Sequence, residues 1–193
     1  MKKHSKADII DIGGELFRKR GFHNTGINDI LKSCGIPKGS FYNFFDSKED
    51  FGVQVLEEYG EKQYLFIKEI LDHQGLTPLD KLKNLYSHFI TTQEDENCQY
   101  GCLIGNLTQE LAGINNRFSQ STSKQFQRFT SQLISVIIEG QKQGEITSAF
   151  DADELSEYIH GSFFGAITRA KAVRNTGPLQ LWLKLTFYFL KRE

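Results

Sequence analysis

Two short stretches of this 193-residue chain hold the residues best equipped for chemistry. In "YGCLIGNLTQEL" the thiol of Cys102 stands at the start of an expected helix. Free backbone N–H groups and the helix dipole favour a thiolate there. A thiolate can attack a substrate or be modified by an electrophile, and His88 and His160 are the candidate bases for it. No local motif joins the three, so a thiol-dependent hydrolase is the weakest reading, and a free cysteine often serves only as a small buried hydrophobe. In "CGIPKGSFYNFFDSKEDF", residues 34–51, a Lys38-Gly39-Ser40 tip is surrounded by aromatic residues. Lys38 supplies charge, Gly39 lets backbone approach a phosphate, and Ser40 and Tyr42 supply hydroxyls, while Asn43 can pair bidentately with adenine.

The elements that position these groups read as helices throughout. Pro37, Pro78 and Pro178 each stand at or just before a helix start, where a missing N–H costs nothing. No alternating β-branched run with paired turn signals is present. The spacing predicts nine helices: Ser5–Arg20, Ile27–Cys34, Lys38–Phe44, a long fourth from a Ser47/Asp50 capping box to Asp72, one from Thr77, Cys102–Leu111, Asn116–Gln143, one capped by Asp151 and Glu154 reaching Arg174, and Pro178–Lys191. Phe41, Phe44 and Phe45 are expected to anchor the third helix to the core. The fold class is therefore all-α. A helix-turn-helix head spans residues 1–50, with the fourth helix leading from 47 into a body of residues 51–193.

Composition narrows the function classes. Net charge is −1, but residues 1–40 carry eight Lys and Arg against four Asp and Glu, whereas residues 41–193 carry 15 against 20. The excess of positive charge sits on the head. Three cysteines are too few for a disulfide framework, and C-x₃-C from Cys98 to Cys102 without nearby histidines is a poor zinc site. Cys34 reads as packing. No metal or cofactor is expected. No apolar run is long enough for a membrane span, and the basic N-terminus lacks the apolar region of a signal peptide, so the expected location is the cytoplasm.

The stretch "GFHNTGINDILKSCGIPKGSFYNFFDSKEDF" resembles the DNA-binding head of the TetR family of transcriptional regulators. The shared elements are Gly21-Phe22, Thr25, Ile30, Gly35-Ile36, Lys38-Gly39-Ser40, Phe41-Tyr42, Phe45 and Ser47-Lys48-Glu49. The resemblance implies a regulator of double-stranded operator DNA, usually a repressor, with an activator as the alternative. It implies phosphate contacts from Thr25, Lys38, Tyr42 and Lys48, with Ser40, Tyr42 and Asn43 left as candidates for base edges. In the body it implies an effector pocket, for which Tyr86, Phe89, Phe118, Phe126, Phe129, Tyr158 and Phe163 are the candidate lining, unless they are plain core. The Gly101-Cys102-Leu103 segment resembles the branch that responds to electrophiles, reactive aldehydes or acrylate-like compounds. There a lysine late in the penultimate helix partners the cysteine, a place held by Lys171.

The last two helices point to a homodimer. Gly161, Ser162, Gly165, Ala166 and Ala170 recur at three- to five-residue spacing and let another helix approach closely. "LQLWLKLTFYFL", with Trp182 and Phe187, is apolar nearly all round, more than one protomer's core can cover. Two copies of each helix would form a four-helix bundle, and the two-fold axis would set two heads on successive major grooves of a pseudo-palindrome. The alternative is an intramolecular core helix.

Overall fold

The computed structural model describes residues 5–191; Lys2 and Lys3, part of the basic excess, lie outside the described residues. Nine α-helices account for the described chain: α1 (Lys6–Arg20), α2 (Ile27–Cys34), α3 (Lys38–Tyr42), α4 (Lys48–Leu71), α5 (Pro78–Asp95), α6 (Leu103–Leu107), α7 (Asn116–Gln143), α8 (Ala152–Val173) and α9 (Gly177–Leu190). A π-helical turn, Thr108–Ala112, continues α6. Among the described residues the only β feature is an isolated bridge between Ile146 and Lys191.

The helix starts follow the capping rules. Ser5 and Asp8 form a reciprocal box at α1, Thr77 accepts from the Asp80 amide at α5, and Asp151 with Glu154 closes α8. At α4 the Ser47 hydroxyl accepts from the Asp50 amide at 3.0 Å. The Asp50 carboxylate reaches back one residue further than a capping box requires, to the Asp46 amide at 3.4 Å. Gly35 ends α2 in the left-handed region at φ 63°, a conformation that disfavours any side chain. The very short α3 follows at once.

Two compact units emerge: the chain up to Lys62 with Cys102–Gln125, and Gln63–Gly101 with Phe126 onward. Helices α4 and α7 contribute to both. In the first unit, Phe17, Phe22, Phe41, Phe45, Phe51 and Phe118 form one linked set of rings, with centroids 4.7–5.6 Å apart. Gly13 is buried because the Phe51 ring lies where a Cβ would stand. The helix-weakening glycine of α1 thus permits a close ring-to-backbone approach. In the second unit the core runs through Leu82, Leu85, Tyr86, Ile137, Ile159, Phe163 and Trp182. Phe118 therefore belongs to the first unit, not to a pocket lining in the second.

Candidate nucleic-acid interface and effector site

Helix α3 carries the residues expected to read DNA. Phe41 and Phe45, four residues apart, are buried and hold it to α4 through Phe51. Lys38, Gly39, Tyr42 and Asn43 are exposed and Ser40 is half-buried. The Lys38 ammonium lies 5.9 Å from the Tyr42 ring centroid, so charge and aromatic hydroxyl project together. Nothing approaches an added Cβ at Gly39, which leaves its backbone open. One expected anchor falls elsewhere: Phe44 is exposed. Helix α3 stops at Tyr42 with Asn43 as its C-cap, so the helical phase ends before it can turn Phe44 inward.

Thr25 and Lys48, both expected at phosphates, have other work. The Thr25 side chain is 0% exposed and its hydroxyl donates to the Gly21 carbonyl at 2.8 Å, tying α2 to the end of α1. The Lys48 ammonium donates to the Phe22 carbonyl at 2.6 Å and sits 4.1 Å from the Phe22 ring centroid. Burial lowers its pKa, with Glu110 and Asp29 acting in the opposite direction. Thr25 and Lys48 both brace the α1–α2 turn.

Glu110, in the π-turn after α6, completes this clamp. Its carboxylate accepts from the backbone N–H of Phe22 at 2.8 Å and of His23 at 2.7 Å. Charged acceptors make the stronger hydrogen bonds, so the turn is fixed from two sides, by Lys48 on its carbonyl and Glu110 on its amides. Nothing in the local sequence signals this residue, because its partners lie 87 and 88 positions away. A π-turn is itself a common mark of a functional segment.

Cys102 is the N-cap of α6 and half-buried. The expectation of a thiolate there is corrected. Burial raises the thiol's pKa above the ordinary cysteine value, outweighing the Gly105 and Ile104 amides, the Tyr59 hydroxyl and the Arg18 charge. Helix α6 is one short turn and its dipole is correspondingly small. An open cleft of about 210 Å³ lies alongside, lined by Ile10, Glu15, Arg18, Tyr59, Lys62 and Leu103 among others. Lys171 stands half-buried in the last turn of α8, in the second unit.

Of the expected pocket residues in the second unit, Tyr86, Phe89, Phe126, Phe129 and Phe163 come together and Tyr158 does not; it is exposed on α8. Tyr86 packs 4.8 Å from Phe163 and 4.7 Å from Trp182, Phe89 lies 6.1 Å from Phe129, and Phe129 stacks 4.0 Å from His160. His160, read from the sequence only as a possible base, is 8% exposed, and neither ring nitrogen has a hydrogen-bond partner. It therefore forms no Cys–His pair. Burial depresses its pKa to about 3. Its place on the inward face with Ser156, Ile159 and Phe163 was legible as a polar residue at a core position. A separate open cleft of about 690 Å³ is walled by polar side chains including Tyr64, Lys68, Asp72, Lys81, Arg128 and Glu139, not by the aromatic residues.

The residues expected at a dimer face divide between the chain's interior and its surface. Ala166, Trp182 and Phe187 are buried within the chain, and the Trp182 indole donates to the Ser162 hydroxyl at 2.8 Å. Gly161 and Gly165 are exposed, with open space where a Cβ would stand. The outward apolar stripe on α9 is Leu181, Leu185, Tyr188 and Phe189, and Tyr158 on α8 is exposed as well.

Comparison with known proteins agrees with this geometry. Residues 9–54 match the family profile described as bacterial regulatory proteins, tetR family, and residues 78–185 match that of the tetracyclin repressor-like C-terminal domain. The chain is 34% identical over 179 residues to the HTH-type transcriptional repressor DhaR of Mycobacterium sp. strain GP1, covering 93% of this chain and 88% of that one. It is 32% identical to the transcriptional regulator AcuR of Cereibacter sphaeroides, over 89% of this chain and 78% of that protein. The crystal structure of the regulatory protein TetR from Rhodobacter sphaeroides superposes with TM-score 0.89 at 27% identity, covering 94% and 96% of the two chains. With the exposed edge of α3, these matches establish that the chain belongs to the TetR family and is a DNA-binding transcriptional regulator.

Proposed function

We propose that the chain is a cytoplasmic repressor that binds a pseudo-palindromic operator as a two-fold dimer and leaves it when the second unit takes up a small molecule. The observation that carries this reading is the edge Lys38, Gly39, Ser40, Tyr42 and Asn43, held outward by the buried pair Phe41 and Phe45. Lys38 and Tyr42 are assigned to phosphates, and Ser40 and Asn43 to base edges. Repression is favoured because two relatives are named repressors: DhaR, and NemR of Escherichia coli, 26% identical over 93% of this chain and 92% of that one. The exposed stripe Leu181, Leu185, Tyr188 and Phe189 on α9 and the open glycines Gly161 and Gly165 on α8 support a four-helix dimer interface.

A second reading, in which Cys102 senses electrophiles, is favoured by one specific arrangement. Cys102 caps α6, and the π-turn that continues α6 carries Glu110, which grips the Phe22 and His23 amides in front of α2. A bulky adduct at Cys102 would strain α6 and loosen that grip. Because the thiol's pKa is raised, modification should be slow at neutral pH and quicken as the pH rises. The test is to add N-ethylmaleimide to the complex with DNA from upstream of the gene. The wild-type protein is expected to release the DNA and Cys102→Ser to hold it. Equal release from both would eliminate the thiol reading and leave reversible ligand binding.

A further inference from the structure

Two polar side chains of the second unit are buried without any hydrogen-bond partner: the Tyr86 hydroxyl, on a residue 0% exposed, and His160, 8% exposed, with both ring nitrogens unpaired. Leaving such groups unpaired typically costs roughly 1–3 kcal/mol each, which is why buried polar groups in native proteins are nearly always satisfied. The two lie in one aromatic layer. His160 and Phe163 are one turn apart on α8, Phe163 packs 4.8 Å from Tyr86, and Phe129 stacks on His160 at 4.0 Å. Phe89 links the ends, 6.1 Å from Tyr86, Phe129 and Phe163 alike.

The layer also restricts the charge of anything it takes in. None of Tyr86, Phe89, Phe126, Phe129, Phe163, Phe164 or Trp182 carries a charged side chain at neutral pH, and His160 is held neutral. A carboxylate or ammonium bound here would lose its hydration without a counter-ion, which is strongly unfavourable. A neutral oxygen acceptor suits it instead: the Tyr86 hydroxyl and the N–H of neutral imidazole are both donors. The rings against His160, namely Phe126, Phe129 and Phe164, are only half-buried.

We infer that Tyr86 and His160 are the polar contacts of a binding site for a small, uncharged carbonyl compound, whose apolar body lies against Phe89, Phe129 and Phe163. This rests on the reading of the second unit as the effector-binding part, and it adds the chemical class of the ligand. The site is reversible and independent of Cys102.

Trp182 reports on the site directly, since its ring lies 4.7 Å from both Tyr86 and Phe163. Three probes of similar size separate the possibilities: acetophenone, with a neutral carbonyl; isopropylbenzene, of like shape without the oxygen; and benzoate, with a charge. Titrated against the full-length protein, acetophenone is expected to change Trp182 fluorescence saturably. The other two are expected to bind at least tenfold more weakly. Tyr86→Phe, which deletes only the hydroxyl, and His160→Phe should each bring acetophenone binding down toward that of isopropylbenzene. Benzoate binding as tightly as acetophenone, an unchanged preference in Tyr86→Phe, or no saturable response to any probe would overturn the inference. The same titration followed by operator release separates the two ideas. Specific acetophenone binding without any effect on DNA would keep the carbonyl site and remove its regulatory role.

Discussion

At the scale of single residues, the neutral imidazole of His160 makes stability depend on pH. Its pKa is about 3 in the fold and near 6.5 when unfolded. The unfolded chain therefore binds the proton more readily, so the contribution of His160 to stability is fully present above about pH 6.5 and is lost as the pH falls toward 3. Between pH 6.5 and 5.0, before most carboxylates titrate, the wild-type protein should lose on the order of 1.5 kcal/mol more than His160→Phe. Urea denaturation followed by Trp182 fluorescence measures this in the second unit, and parallel losses in both proteins would contradict it. Other residues show where reading a sequence stops. Thr25 and Lys48 occupy positions whose motif implies phosphate contact, yet a motif specifies residue type and spacing, not the direction of a hydroxyl or ammonium. Thr25 spends its hydroxyl on Gly21 and Lys48 its charge on Phe22.

At the scale of elements, the nine helices of the described residues were legible because most starts carry a capping side chain or a proline and the longer interiors repeat apolar residues at helical spacing. The π-turn at Thr108–Ala112 was not, since no local signal distinguishes it from the last turn of a longer α6. That turn matters because it carries Glu110. Replacing Glu110 with Gln keeps the shape but exchanges a charged acceptor for a neutral one that can accept through only one oxygen. The Phe22 and His23 amides should then exchange hydrogen at least tenfold faster, corresponding to roughly 1.4 kcal/mol or more of lost local protection. Operator affinity should fall with it. Unchanged exchange at both amides would mean that the π-turn does not hold the head. The same limit explains the aromatic layer. Sequence supplied five of its rings, but Phe118 and Tyr158 share their residue type while sitting in the other unit's core and on the surface.

At the scale of the whole molecule, family and fold class could be read from one specific stretch, residues 21–51, because a helix-turn-helix compresses its packing into a single run of chain, and the α3 residues proposed to meet DNA lie in the same run. The dimer face proposed above rested in the sequence only on excess apolar surface. Which half of α9 turns inward depends on the packing of Trp182 against Tyr86 and Phe163, side chains distant in sequence, in the same core that buries Phe187. The most direct measurement is a titration of the protein against DNA from upstream of its own gene at two salt concentrations, with wild type and Lys38→Ala side by side. The expected result is saturation at two protomers per site, affinity falling steeply with salt, and a logarithmic salt slope shallower by about 0.9 for each phosphate that Lys38 neutralises and alanine cannot. Saturation at one protomer per site, or a Lys38→Ala curve identical to wild type, would contradict a two-fold regulator that reads DNA through α3.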